Sequence, residues 1–201
     1  MLFNKNIVLA SSSKSRSHML KNNNIGFIRI TPKTNEEEIK KQLMKKKISP
    51  KTTSLVLAIK KAESISKVKK NSLVVGSDTI LVFNKKILNK AKNKTEAKKK
   101  LKELSGKRYK IYSSAAAFYK KKLVWKSTQE STIKFRKLSE QEITKYLRQK
   151  GKDILLSVGC FQIEKDGPNI VQNIKGDFFN VMGFPLFPFL KFLKRYKINN
   201  D

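Results

Sequence analysis

Apolar positions along this chain follow two rhythms, short continuous runs and stripes of helical period. Ile7-Val8-Leu9-Ala10 predicts a buried strand that runs into Ser11-Ser12-Ser13-Lys14-Ser15-Arg16. Met19 and Leu20 then begin a helix that stops at Asn22-Asn23-Asn24. Residues 27–30 predict a second strand, ended by Thr31-Pro32. Asn35-Glu36-Glu37-Glu38 opens a helix to about residue 46, with acids where the helix dipole favours them. After Ser49-Pro50, residues 52–68 place Leu55, Ala58, Ile59, Ala62 and Ile65 on one helical face. A strand over 73–83 follows, then a helix over 94–104 that ends at Ser105-Gly106. Segments 109–119 and 123–135 alternate like paired strands around Lys120-Lys121-Lys122. Ser139-Glu140-Gln141-Glu142 is a capping-box start for a helix to about residue 149. Two further strands, 158–164 and 170–174, are expected around a turn at Asp166-Gly167-Pro168, and a broad apolar face marks the last helix, 186–196. Helices around a largely strand-paired centre make an α/β or α+β domain. There is neither an internal repeat nor a long linker, so one domain over residues 1–201 is expected.

One strand carries an oddly placed charge. In Val74-Val75-Gly76-Ser77-Asp78-Thr79-Ile80-Leu81, Asp78 has apolar neighbours on both sides. A lone ionised carboxylate in such surroundings is costly, so it needs a metal, a cationic partner or a raised pKa, unless it simply caps a turn beside Gly76. Strand parity puts Asp78 on one face with Gly76, which is expected to leave room for a metal or phosphate beside the carboxylate. The serine-rich turn after the first strand aims hydroxyls and N–H groups at one point, with Arg16 about one turn into the helix. It reads either as an anion pocket or as a serine-capped helix start.

The formal net charge is +31, carried by 40 lysines spread along the chain and by arginines only at positions 16, 29, 108, 136, 148 and 195. A dedicated nucleic-acid reader concentrates charge on one face and uses arginine for base contacts, so weak polyanion attraction is expected and specific recognition is not. The single Cys160 excludes an intrachain disulfide and, with one histidine, argues against a zinc site of the usual kind. No apolar run approaches the roughly 18 residues of a membrane span, and the first residues lack a signal peptide's apolar core, so a cytoplasmic protein is expected. The very apolar segment 184–192 has two uses open to it, a homodimer interface or the core.

A series of short pieces in order resembles one family. They are Leu9-Ala10-Ser11-Ser12-Ser13 with Arg16, an acidic cluster, Leu57-Ala58 with Lys61-Ala62, and Gly76-Ser77-Asp78-Thr79. Ile87-Leu88-Asn89-Lys90, Leu104-Ser105-Gly106 and Leu138-Ser139 with Glu142-Ile143 follow, then Gly176-Asp177, Asn180-Val181, Gly183 and Pro185-Leu186. No piece is specific alone; together, from Ile7 to about Arg195, they resemble the Maf nucleoside triphosphate pyrophosphatases. The resemblance implies a mixed central sheet flanked by helices, two lobes with a cleft, and cleavage of a nucleoside triphosphate to monophosphate and pyrophosphate, clearing non-standard or surplus nucleotides. It implies Asp78 as proton acceptor, and a divalent cation (Mg²⁺ or Mn²⁺) on Asp78 and Glu36, with Glu37 as the other register. Ser11, Ser13 and Arg16 would hold phosphate, Lys61 and Lys90 would face the triphosphate, and Glu164 stands where many members carry Gln. Departures are Ser13-Lys14-Ser15-Arg16 for Ser-Pro-Arg-Arg, Tyr109 for His, and Leu156-Ser157-Val158-Gly159 for Asp-Lys-Ala-Gly. A member that binds nucleotide or nucleic acid without turnover is the competing expectation.

Overall fold

A computed structural model describes residues 6–196. The described residues form seven strands and eight α-helices: β1 (Ile7–Ala10), α1 (Lys14–Asn22), β2 (Ile28–Ile30), α2 (Glu36–Lys45), α3 (Pro50–Ser66), β3 (Leu73–Phe83) and β4 (Lys86–Leu88) come first. Then follow α4 (Lys94–Leu104), β5 (Arg108–Tyr119), β6 (Lys122–Phe135), α5 (Glu140–Lys150), α6 (Ile163–Ile170), β7 (Val171–Lys175), α7 (Phe178–Met182) and α8 (Leu186–Arg195). The strands pair in the order β2-β1-β3-β5-β6-β7, with β4 on β3. β1 runs parallel to β2 and β3, whereas β3–β4 and β6–β7 are antiparallel, so the sheet is mixed. This is the expected α/β architecture with a mixed central sheet flanked by helices.

The chain forms two compact units. Among the described residues, one comprises 6–79, 112–129 and 183–196; the other comprises Ile80–Ile111 and Glu130–Met182. The first unit holds a small core of Val8, Ala10, Ala62, Ile65, Val74 and Phe118 between α3 and the sheet. Its α8 lays Phe189 and Phe192 against Trp125 of β6, with ring centroids 5.5 and 5.2 Å apart. The core therefore takes up much of the apolar segment 184–192, although Phe187 stays 61% exposed. The second unit is built on Leu101, Leu104, Ile111, Ile133 and Phe135, with Tyr109 and Phe161 edge-on to Phe135.

Turn chemistry accounts for several joints. Asn84-Lys85 and Lys120-Lys121 all have positive φ, the conformation that two-residue hairpin turns require. Ser139 accepts the Glu142 N–H at 3.1 Å, and Glu142 accepts the Ser139 N–H at 2.7 Å, so the capping box is complete. Ser139→Ala is expected to cost about 1 kcal/mol, measurable as a lower urea midpoint.

Two expectations fail. Residues 158–164 form no strand, and 163–170 are helical straight through Gly167-Pro168. The cause is Asp166, whose buried carboxylate accepts the Gln162 N–H at 3.2 Å and the Tyr146 hydroxyl at 2.9 Å and lies 2.6 Å from Lys150 Nζ. The local bond to Gln162 and the two longer-range contacts to Tyr146 and Lys150 of α5 fix a helical turn where Gly167-Pro168 favours a bend. Gly76, expected to leave space for a ligand, instead lets α3 approach. A Cβ there would lie 2.4 Å from the Ala58 carbonyl oxygen and 2.6 Å from the Ala62 nitrogen. Close helix–strand packing is what this glycine permits.

Candidate active site

β3 sends Asp78 toward α3 and Ser77 and Thr79 to the opposite face, as strand parity requires. On the α3 side, Lys61 is buried and its Nζ lies 2.7 Å from Asp78 Oδ1 and 2.9 Å from Glu36 Oε2. One ammonium thus ties α3, β3 and the first turn of α2 together. Of the three adjacent glutamates, Glu36 is the one brought to Lys61; Glu37 and Glu38 are exposed. Asp78 is 3% exposed, and its Oδ2 is buried with no hydrogen-bond partner among the described residues. Leaving a buried carboxylate oxygen unmatched is costly, so this atom is open to a donor or cation brought by a ligand.

The other side of β3 holds Arg16. Its Nε donates to the Gly183 carbonyl at 2.7 Å, Nη2 to Thr79 Oγ1 at 2.9 Å and Nη1 to Ser11 Oγ at 3.2 Å. Ser13 caps α1 by accepting the Arg16 N–H, and Ser11 Oγ accepts the Ser13 N–H at 3.2 Å. The helix-cap expectation holds, and the Ser11 hydroxyl also accepts from the buried Arg16 guanidinium. Gly183 is the residue that sequence reading underrates. Its carbonyl accepts from Arg16, Ser77 and Thr79, and its φ of 109° lies where glycine is favoured. A backbone carbonyl has no side-chain signature; the Asn180-Val181…Gly183 pattern was its only trace.

Burial lowers the Arg16 pKa from its ordinary value, an effect opposed by the nearby Asp78 and Glu36 charges. For Glu36, partial burial works to raise the pKa, but the charge and hydrogen bond of Lys61, with Lys40 and Arg16, outweigh it and hold the carboxyl below its ordinary range. A carboxyl depressed in the folded state contributes stability above its unfolded pKa and loses it as pH falls through the folded value. Glu36→Gln should therefore flatten the acid side of a Tm-against-pH curve below about pH 4.5, where the unfolded chain takes up its proton first. An unchanged acid limb would show that Lys61 does not hold Glu36 in solution.

The remaining sequence candidates lie in the other unit. Lys90 is exposed just beyond β4, and Glu164 is exposed in the first turn of α6. Cys160 is a free, buried thiol pushed up in pKa by that burial, which is an inert setting. Among the described residues, no three His, Cys, Asp or Glu side chains group closely enough to hold a metal unaided. Glu36 and the unmatched Asp78 oxygen nonetheless fit a hard cation that takes one or two carboxylates and completes its shell with phosphate oxygens and water.

A carboxylate oxygen without a partner, beside a shared ammonium and close to a guanidinium and a serine turn, suits water attack on a phosphorylated, polyanionic ligand. Fold and site together describe an α/β protein with a buried carboxylate, ammonium and guanidinium gathered about one strand. The family model of Maf-like proteins matches residues 6–196, and the chain belongs to that family. A protein of Caulobacter vibrioides named nucleoside triphosphate pyrophosphatase is 30% identical over 188 residues, which cover 94% of each chain. One of the same name from Bradyrhizobium diazoefficiens is 33% identical and covers 94% of this chain and 92% of its own. A protein of Bartonella quintana named 7-methyl-GTP pyrophosphatase is 35% identical over 195 residues, covering 97% and 98%. Among the described residues no helix is long and apolar enough to cross a membrane.

Proposed function

We infer that this chain is a nucleoside triphosphate pyrophosphatase, a hydrolase that cleaves between the α- and β-phosphates and releases a nucleoside monophosphate and pyrophosphate. The observation that carries the reading is the buried, partner-free Oδ2 of Asp78 beside Lys61. Relatives of both names, matched over nearly the full chain, support it.

In this reading Asp78 accepts a proton from the attacking water at Oδ2. Lys61 fixes the carboxylate through Oδ1 and keeps its third N–H for a phosphate oxygen, since an ammonium has three donors and two are engaged. Arg16 spends three of its five N–H groups on Gly183, Thr79 and Ser11, leaving two for the anion and a positive charge that cannot swing away. Glu36 and Asp78 would hold a Mg²⁺ or Mn²⁺ ion, which when bound supplies neutralising charge to the phosphates and acidifies water. Stripping divalent metal with a chelator should abolish pyrophosphate release, and Mg²⁺ or Mn²⁺ should restore it; full activity in chelator would remove the metal from the account.

Glu164 serves as a base-recognition residue in this proposal. A 7-methylated guanine base carries positive charge, which a carboxylate favours over a neutral pyrimidine. Glu164→Gln should lower the kcat/KM ratio of 7-methyl-GTP to UTP by roughly tenfold. An unchanged ratio would exclude Glu164 from base recognition. A second reading, nucleotide binding without turnover, is favoured by Ser157, which stands where the family pattern carries a lysine. Thermal stabilisation by nucleotides with no product formed would select it.

A further inference from the structure

The fold gathers lysines that the sequence scatters. The Lys120 N–H donates to the Lys70 carbonyl at 3.1 Å, which brings the β5–β6 turn against the segment between α3 and β3. Lys67, Lys69 and Lys70 of one segment and Lys120, Lys121 and Lys122 of the other are all exposed. No Asp or Glu occurs between residues 64 and 77 or between 104 and 129. The nearest acid in sequence, Glu63, already pairs with Lys60 at 3.0 Å. Two partly exposed rings complete the patch. Tyr119 meets Tyr196 edge-on with centroids 6.3 Å apart, and Lys120 Nζ lies 5.6 Å from the Tyr119 centroid. That ring contact also draws in the basic end of α8, where Lys194 and Arg195 are exposed. Asp78 is at the middle of β3, five residues from Leu73 or about 16 Å at the usual rise per residue, whereas the patch lies by the start of that strand.

We propose that this patch is a docking surface for single-stranded nucleic acid, separate from the candidate active site. Clustered lysines without acids neutralise successive phosphates, and tyrosine faces offer bases a stacking platform without reading sequence. An anionic membrane would share the lysines, but insertion also needs a broad apolar face, and the exposed aliphatic side chains here are Val68 and Leu123, both set among lysines.

The test is fluorescence anisotropy of a labelled oligouridylate against the full chain over a salt series. The turn residues Lys120 and Lys121 have φ of 47° and 64°, so Lys120→Asn with Lys121→Gly removes two charges while supplying the preferred hairpin pair; Lys122→Gln removes a third. This variant should bind at least about tenfold more weakly and lose about 2 from the slope of log affinity against log salt. The control, Lys45→Gln with Lys46→Gln and Lys47→Asn, removes the same charge elsewhere and should change neither by as much. Tyr196→Ala should weaken binding roughly tenfold in high salt, where stacking outlasts charge. Equal losses in the two lysine variants would mean bulk charge alone and would overturn the proposal. So would binding to phosphatidylserine vesicles that depends on the patch while oligouridylate is ignored. Nucleotide hydrolysis should be unchanged in the turn variant, which separates failure here from failure of the active-site reading.

Discussion

Asp78→Asn is expected to lower kcat by roughly 10²–10⁴-fold, the range for removing a general base. The substitution keeps size and a hydrogen-bonding oxygen, so the contact with Lys61 Nζ, 2.7 Å in the parent, can persist in altered form. What it removes is the anionic Oδ2, buried and without a partner. Lys61 keeps Glu36 as counter-ion at 2.9 Å, which limits the damage to folding. The change should therefore appear in kcat far more than in the denaturation midpoint. Comparable losses in both would make Asp78 chiefly a structural counter-ion, and a retained rate would remove it from the chemistry.

Gly76→Ala is the largest expected effect on stability. The new methyl would fall 2.4 Å from the Ala58 oxygen and 2.6 Å from the Ala62 nitrogen, both backbone atoms of α3 that no rotamer change can move. Overpacking typically costs 1–3 kcal/mol, and a backbone clash belongs at or beyond the upper end, about 3 kcal/mol or more. Against the ~5–15 kcal/mol that holds an ordinary domain folded, this is a large fraction. The urea midpoint should fall sharply. Because α3 carries Lys61, displacement of the helix should also slow hydrolysis in whatever fraction stays folded. An unchanged midpoint would show that α3 does not sit this close to β3.

These two residues also show how much could be read from the sequence. β3 was legible because Asp78 interrupts an apolar, β-branched run, and α3 because its apolar residues recur at helical spacing. Glu36 and Lys61 were legible only as members of a pattern in chain order, and Arg16 also from the serine turn that precedes it. That one lysine binds both acids depends on residues 25 and 17 positions away in the sequence, and no local signal encodes it. Gly76 was read correctly as the site of a close approach, but the approaching group is a helix. The α6 error has the same origin. Gly167-Pro168 carries a strong turn signal, yet the Asp166 bonds to Tyr146 and Gln162 decide the conformation. The lysine patch went unseen for a related reason, because its two halves are 50 residues apart until the Lys120–Lys70 bond joins them.

The position of cleavage separates a pyrophosphatase from a phosphatase. Phosphorus NMR of the products formed from a panel of nucleoside triphosphates, including UTP, dTTP and 7-methyl-GTP, distinguishes attack at the α-phosphate from attack at the γ-phosphate. Nucleoside monophosphate and pyrophosphate are expected in equal amounts, made by the wild-type chain and nearly absent with Asp78→Asn. Nucleoside diphosphate with inorganic phosphate, or no product from any member of the panel, would contradict the pyrophosphatase reading.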